Sequence, residues 1–207
     1  SFLIDELRKH LAAERDRLAE AYFRRQVAAG RIQFRLRTDP KPWALPLEED
    51  VPLPAAPAPM MRRDGRQVER SLMAPVYRHE VDGLEFEVAC YLDGQAAVSW
   101  WYRNVVRAEG YHLQGWRKHR VYPDFVLALV PRDGANRLVV LETKGEQLAG
   151  NLDTEYKRKL MEILTQAYSS EVTTVGTLEL EFASGTVVEC ALVQQASWQN
   201  DVAALLA

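Results

Sequence analysis

Three charged residues stand at the ends of two strongly apolar segments of this chain. Asp124 immediately precedes residues 125–130 (FVLALV), and Glu142 and Lys144 lie at the end of residues 138–144 (LVVLETK). Segments of this composition suit a protein interior, where an uncompensated carboxylate or ammonium group is unfavourable by several kcal/mol. The three charges therefore need one another, or a bound ion, as compensation.

The two apolar segments are predicted to form a β-hairpin. Both faces of residues 138–144 are apolar until the segment ends, which is typical of a strand covered on both sides. Residues 131–137 are polar and contain an Asp-Gly turn signal, which predicts that the first strand folds back on the second. Asp124 would then lie beside Glu142, and Lys144 would share the strand face of Glu142.

The convergence of these side chains indicates metal-assisted chemistry. Two neighbouring carboxylates repel each other unless a cation lies between them. Mg²⁺ suits oxygen ligands and usually takes one or two carboxylates, with water and a substrate phosphate completing its shell. A lysine beside such a centre can orient a water molecule and stabilise negative charge that develops on phosphorus. Asp124, Glu142 and Lys144 therefore match the requirements for hydrolysing a phosphodiester, and an inert structural ion cluster is the alternative.

The order and spacing of these residues resemble the PD-(D/E)xK nuclease motif. The dipeptide PD at 123–124 is followed, after residues 125–141, by ETK at 142–144. Over roughly residues 80–168 the chain also resembles the C-terminal nuclease domain of type III restriction enzyme subunits and related helicase-nuclease proteins. The segments that carry this resemblance are LEFEVACYLD (84–93), VSWWYRN (98–104), YPDF (122–125), ETKG (142–145) and NLDTEYK (151–157).

The resemblance implies an α/β fold, in which a mixed central sheet flanked by helices forms a restriction-endonuclease-like core. It implies a DNA endonuclease that uses Mg²⁺, with Mn²⁺ as a substitute, in a restriction or phage-defence system. In that family the nuclease follows a superfamily 2 helicase. Because the chain has no GxxxxGK[ST] phosphate loop, we expect the nuclease part of a longer protein or a stand-alone relative, with DNA and a helicase as partners. The alternative is a catalytically inactive module of the same fold that binds DNA or docks the helicase.

The resemblance also assigns roles to individual residues. Lys144 is expected to orient the attacking water, and a third acid is expected on the helix before the sheet. Alignment of residues 88–93 with the family's helix favours Glu85 for this acid, with Glu87 as the fallback. A solvated helix residue is the alternative for Glu85. The expected ligands of one or two Mg²⁺ ions are Asp124, Glu142, the Thr143 carbonyl and Glu85.

Basic residues near the site are candidates for DNA contacts. Lys157 is the strongest candidate, because it belongs to the segment NLDTEYK that carries the resemblance. Residues 100–120 also have a local excess of cations that could follow DNA phosphates. The candidates there are Arg103, Arg117, Lys118 and Arg120. A solvated basic face explains this excess almost as well.

The pattern of apolar residues predicts the elements that position these side chains. From residue 80 onward the expected order is α, β, β, β, α, β, β. Asn151 or Asp153 is expected to cap the second of these helices, which extends to about Tyr168. The expected elements are a helix at 84–92, strands at 98–104, 125–130 and 138–144, a helix up to 168, and a hairpin from 178–182 and 188–192.

The N-terminal part of the chain is expected to be an appendage. Residues 2–29 are predicted to form a helix that ends at Gly30, followed by a short strand at 32–37. Residues 40–59 hold seven of the ten prolines and are predicted to be an extended connector. The expected division is an N-terminal helix with its Pro-rich connector (1–60) and a nuclease domain (61–207).

Composition places few limits on function. The chain has 207 residues, of which 47% are hydrophobic, and can bury one sizeable core. A formal net charge of −3 gives no overall attraction to nucleic acid, so a polyanion site must come from local clustering of cations. No apolar run approaches the roughly 20 residues of a membrane span, and the first residues are too charged for a secretory signal. We therefore expect a cytoplasmic protein without a membrane partner.

Overall fold

The elements follow the predicted order through most of the chain. The structure is a computed structural model that describes residues 2–32, 45, 48–81, 83–106, 110–132, 135–145, 152–168 and 187–207. Within these residues the helices are α1 (Phe2–Ala28), α2 (Gly83–Gly94), α3 (Leu152–Ala167) and α4 (Trp198–Leu206), with a 3₁₀ turn at Arg78–Glu80. The strands are β1 (Val98–Arg103), β2 (Phe125–Arg132), β3 (Ala135–Lys144) and β4 (Val187–Gln194).

The four strands form one mixed sheet in the order β1-β2-β3-β4. β2 is antiparallel to both β1 and β3, whereas β3 and β4 are parallel. The predicted hairpin is confirmed, with Phe125 opposite Leu141 and Arg132 opposite Ala135. Its strands are longer than predicted, because much of the segment expected as a loop continues the strands, and the predicted turn at 133–134 lies outside the described residues. The predicted α/β fold with a mixed sheet and flanking helices is confirmed.

Apolar side chains on the two faces of the sheet form two core layers. Val139 and Leu141 of β3 belong to a layer that includes α2 and α4, whereas Val140 belongs to a layer that includes α3. This alternation follows from the pleat of a strand that is buried on both sides. Glu142 and Lys144 continue the face of Val140. The sequence pattern itself therefore directs both charged side chains toward α3.

The predicted N-terminal helix is confirmed as α1, and its end is marked by Gly30. This glycine has φ 66°, and the amides of Gly30 and Arg31 donate to two carbonyls in the last turn at 2.9 and 3.0 Å. These bonds form a Schellman cap, which needs a left-handed residue at this position. The second half of α1 packs on the core through Phe23, which is buried. Its apolar stripe faces away from the core and is 54–77% exposed at Leu3, Leu7, Leu11, Leu18 and Tyr22.

The C-terminal part departs from the predicted pairing. The second strand of the expected final hairpin is confirmed as β4, but its partner among the described residues is β3, in parallel. The first strand of that hairpin (178–182), the strand expected at 32–37 beyond Ile32, and Asn151 lie outside the described residues. Asp153 lies within the first turn of α3 and so does not cap it from outside. α4 was not predicted. None of the described helices is long and apolar enough to cross a membrane.

Candidate active site

Asp124 lies directly before β2 and is held by Thr143 of β3 and by Asn104, the residue after β1. The Thr143 amide and hydroxyl donate to Asp124 Oδ2 at 2.6 and 2.7 Å. Asn104 follows β1 directly, and its backbone N–H donates to the backbone carbonyl oxygen of Asp124 at 2.8 Å. Among the described residues no donor reaches Asp124 Oδ1. One carboxylate oxygen of Asp124 is therefore occupied by neutral donors, and the other can take a further ligand.

Asn104 holds the backbone that leads into Asp124. The residue is 6% exposed, and its side-chain Nδ2 donates to the carbonyls of Tyr111 and Pro123 at 2.7 and 2.9 Å. These bonds tie the end of β1 to two separate parts of the connection between β1 and β2. Sequence reasoning assigned no role to Asn104. The signal that could have identified it is an amide residue directly after the aromatic strand VSWWYR.

Glu142 is the most buried charged residue of the site. Its side chain is 2% exposed, and Oε1 lies 2.8 Å from both Lys144 Nζ and Lys157 Nζ. The other oxygen, Oε2, is buried and has no hydrogen-bond partner in the described part of the chain. Lys144 reaches Glu142 from the same strand, as predicted from the alternation of side chains. Lys157 reaches Glu142 from α3, so a contact between β3 and α3 is made at this carboxylate.

Burial dominates the ionisation of both carboxylates. It raises the pKa of Asp124, the hydrogen bonds from Thr143 oppose this rise, and the negative charge of Glu85 adds to it. It also raises the pKa of Glu142, where the charge of Asp124 adds to the rise and the two lysines oppose it. Asp124 and Glu142 are therefore close enough to repel each other. A divalent cation between them would relieve that repulsion.

Glu85, the favoured third acid, comes from the other face of the sheet. It lies on α2, and Arg103 Nε donates to Glu85 Oε2 at 3.1 Å. Glu87, the fallback, forms an ion pair with Arg63 near the surface. Glu85 pairs with Arg103, which lies opposite Phe125, the residue after Asp124, and burial and the charge of Glu85 both raise the pKa of Asp124. In the described residues no three or more His, Cys, Asp and Glu side chains are grouped to hold a metal ion.

Three of the residues that are expected to contact DNA form ion pairs within the protein. Lys157 contacts Glu142, Arg103 contacts Glu85, and Arg117 makes a two-point contact with Asp16 of α1 at 2.9 and 3.0 Å. The Arg117 guanidinium also lies over the Tyr156 ring, 4.5 Å from its centroid. Lys118 and Arg120 lie at exposed positions. They lie in the loop 114–120, whose ends are joined by the bridge between Leu113 and Val121.

The donor atoms at the site fit a hard divalent cation. Asp124 Oδ1 and Glu142 Oε2 are carboxylate oxygens without described donors. Glu142 Oε2 is also buried, and a buried acceptor without a partner costs about 1–3 kcal/mol of desolvation. Mg²⁺ commonly uses one or two protein carboxylates and keeps several waters, so a third protein acid is not essential. Comparison of the chain with family models, curated proteins and solved structures found no match. Its chemistry is therefore inferred from these contacts.

Proposed function

We propose that this chain is a metal-dependent DNA endonuclease domain with a restriction-endonuclease-like core. The observation that carries the proposal is the buried Glu142, whose Oε2 lacks a donor in the described residues and whose charge interacts with Asp124. A buried carboxylate oxygen without a donor, beside a second carboxylate, is costly unless a cation joins the two acids. The mixed sheet with flanking helices also supports the proposal, as does the position of PD directly before β2 and of ETK at the end of the adjacent β3.

The residues of the site then have distinct roles. Asp124 and Glu142 hold Mg²⁺, for which Mn²⁺ can substitute. The bound ion would offset charge on a DNA phosphate and make a coordinated water more acidic. Lys144 Nζ, whose side chain is 14% exposed, holds the attacking water in place through a hydrogen bond. Glu85 and the Thr143 carbonyl are proposed additional ligands, and Glu85 Oε2 also accepts a hydrogen bond from Arg103.

The wider setting is part of the same proposal. We infer that the domain works with a superfamily 2 helicase in a restriction or phage-defence system, because the segments between residues 80 and 168 resemble that family. A second candidate is a catalytically inactive module that binds DNA or docks the helicase. The observation that favours it is the pair of ammonium groups on Glu142 Oε1, since an inert ion cluster would have such contacts.

A nicking assay on supercoiled DNA separates the two candidates. We expect cleavage with Mg²⁺ or Mn²⁺, none in excess EDTA, and none with Ca²⁺, whose looser coordination does not support the reaction. Asp124→Asn, purified in parallel, is the control for contaminating nuclease and should be inactive. Equal cleavage by wild type and Asp124→Asn, or cleavage that persists in EDTA, would overturn the metal mechanism. Absence of cleavage under all conditions, with DNA binding intact, would favour the inactive module.

A further inference from the structure

Four charged side chains of the site balance one another. Asp124 and Glu142 are the two acids, and Lys144 and Lys157 are the two bases. Both ammonium groups lie 2.8 Å from the same atom, Glu142 Oε1. Asp153 also lies 3.7 Å from Lys157, but its side chain is 62% exposed and contributes little to the balance. The two acids thus already have two internal counter-ions.

These charges interact at a depth where screening is weak. The side chains of Glu142, Lys144 and Lys157 are 2%, 14% and 16% exposed. Charge interactions at such sites are larger than at a surface and less sensitive to salt. A divalent cation that binds Glu142 Oε2 would enter a neutral group and add two positive charges. The repulsion between the two acids favours that step, whereas the two ammonium groups oppose it until an anion enters with the cation or one of them moves away.

We propose that Lys157 is an internal counter-ion that couples metal binding to DNA binding at this site. The inference rests on the proposed nuclease function. A DNA phosphate supplies the negative charge that the metal requires, and the flexible Lys157 side chain can exchange Glu142 Oε1 for a phosphate oxygen. The free protein therefore binds metal weakly, and DNA strengthens that binding. Metal strengthens DNA binding by the same factor, because coupling free energies are reciprocal.

A substitution of similar length can remove the charge of Lys157 without leaving a cavity. Lys157→Met keeps most of the length of the side chain and removes the ammonium group. We expect Mn²⁺ to bind the free Lys157→Met protein at least about tenfold more tightly than wild type, since a nearby positive charge has gone. Lys159→Met is the matched control, because Lys159 lies on the same helix and pairs with Glu20 of α1. Electron paramagnetic resonance of unbound Mn²⁺ measures both affinities without DNA or turnover.

A second variant separates the effect of the Lys157 charge from that of its hydrogen bond. It also keeps the test valid if the first variant does not fold. Lys157→Gln is neutral but can still donate to Glu142 Oε1. The proposal requires the same tightening of Mn²⁺ binding in Lys157→Gln, with Lys159→Met unchanged. Tightening in Lys157→Met alone would assign the effect to the lost hydrogen bond and overturn the counter-ion role. Circular dichroism melts establish that each variant is folded at the temperature of the titration.

The coupling itself is measured with Ca²⁺ and a short DNA duplex, a pair in which no cleavage is expected. A saturating concentration of duplex should increase the affinity of the wild-type protein for Ca²⁺. The increase should be by a smaller factor in Lys157→Met. An equal factor in both proteins overturns the proposal.

Asp124→Asn distinguishes failure of the counter-ion proposal from failure of the nuclease proposal. If Mn²⁺ binding does not depend on Asp124, the nuclease proposal fails as well. If it does, but Lys157→Met binds Mn²⁺ no more tightly than wild type, only the counter-ion proposal fails.

Discussion

The two central carboxylates differ in what holds them. Asp124 Oδ2 accepts hydrogen bonds from neutral groups of Thr143, whereas Glu142 Oε1 contacts two ammonium groups. Burial raises the pKa of both acids, but only Glu142 has cations in direct contact. The structural ion pair that could compete with a catalytic role is therefore between Lys144 and Glu142. The removal of charge should have opposite effects on stability at these two positions.

Asp124→Asn and Glu142→Gln test this difference in protein stripped of metal by a chelator. The amide carbonyl that Asp124→Asn introduces can still accept both bonds from Thr143 while repulsion is lost, so the free energy of unfolding should be unchanged or higher. Glu142→Gln removes the carboxylate that two largely buried ammonium groups share and should lower the free energy of unfolding by about 3 kcal/mol or more. Urea unfolding followed by circular dichroism measures both changes. A large loss in Asp124→Asn would show that its charge is architectural.

Lys144→Ala tests the proposed orientation of water. Lys157 remains on Glu142 in this variant, so the fold should persist. Loss of one preorganised electrostatic group commonly slows a reaction by roughly a hundredfold or more, and we expect at least that reduction in single-turnover DNA cleavage. Lys159→Ala removes the same charge from a site that faces α1 and should cleave at the wild-type rate. Equal rates in the two variants would leave Lys144 without a catalytic role.

At the scale of elements, the sequence pattern predicted the strand pairing that joins segments close together in the chain, but not the pairing of distant segments. The β2–β3 hairpin and the burial of both faces of β3 follow from two apolar segments and the Asp-Gly turn signal between them in the sequence, so the approach of Asp124 to Glu142 was predictable. The parallel pairing of β4 with β3 was not, because it depends on where α3 returns the chain across the sheet. α4 is a nine-residue helix whose buried residues are only Val202 and Leu206, too short a pattern to stand out.

The same distinction applies to the site. Lys144 was placed beside Glu142 because both lie on one face of one strand. The contact between Lys157 and Glu142 joins a helix to a strand, and no periodicity within either element specifies it. The bonds of Asn104 likewise depend on the path of residues 110–123, which the sequence pattern left undefined. Tertiary packing therefore decides which polar residues support the site, even where the pattern identifies its acids.

The attachment of α1 can be tested through Asp16. Arg117 holds the pKa of Asp16 below its ordinary value of 3.8, with Trp116 assisting and burial opposing. A depressed carboxylate pKa stabilises the fold above the unfolded pKa, and that contribution disappears as the pH falls through the folded pKa. Asp16→Asn should therefore lower the free energy of unfolding at pH 7 by no more than about 1 kcal/mol, because the pair is partly exposed.

Urea unfolding of wild type and Asp16→Asn across a pH series checks the sign. The difference between the two proteins should be constant near neutral pH and vanish as the pH drops below 3.8. Glu14→Gln is the control on the same helix, since Glu14 pairs with the exposed Arg17 of α1, and it should change stability less. A difference that grows at low pH would contradict the assigned direction of the Asp16 pKa.

At the scale of the whole molecule, internal ion pairs consume much of the positive charge near the site. The formal net charge is −3, and Arg103, Arg117 and Lys157 each contact a carboxylate. The first attraction to a DNA backbone must therefore come from cations at exposed positions, since the proposal has Lys157 reach a phosphate only after it leaves Glu142. The loop 114–120 carries Lys118 and Arg120 on its exposed side, and the chain continues from this loop to Asp124 within a few residues. Among the described residues, this loop brings two exposed cations close to the site along the chain, where the proposed DNA backbone would pass.

The salt dependence of DNA binding tests which cations contact phosphate. Each phosphate contact that is lost should lower the slope of log affinity against log salt by about 0.9 on duplex DNA. We expect that reduction in Lys118→Ala and in Arg120→Ala. Arg117→Ala should weaken the attachment of α1 but leave the slope unchanged, because the Arg117 guanidinium faces Asp16 and Tyr156. Fluorescence anisotropy in EDTA, over a series of KCl concentrations, measures the slope without cleavage. A reduced slope in Arg117→Ala would mean that Arg117 leaves Asp16 to bind DNA, and unchanged slopes in all three variants would place the DNA path elsewhere on the molecule.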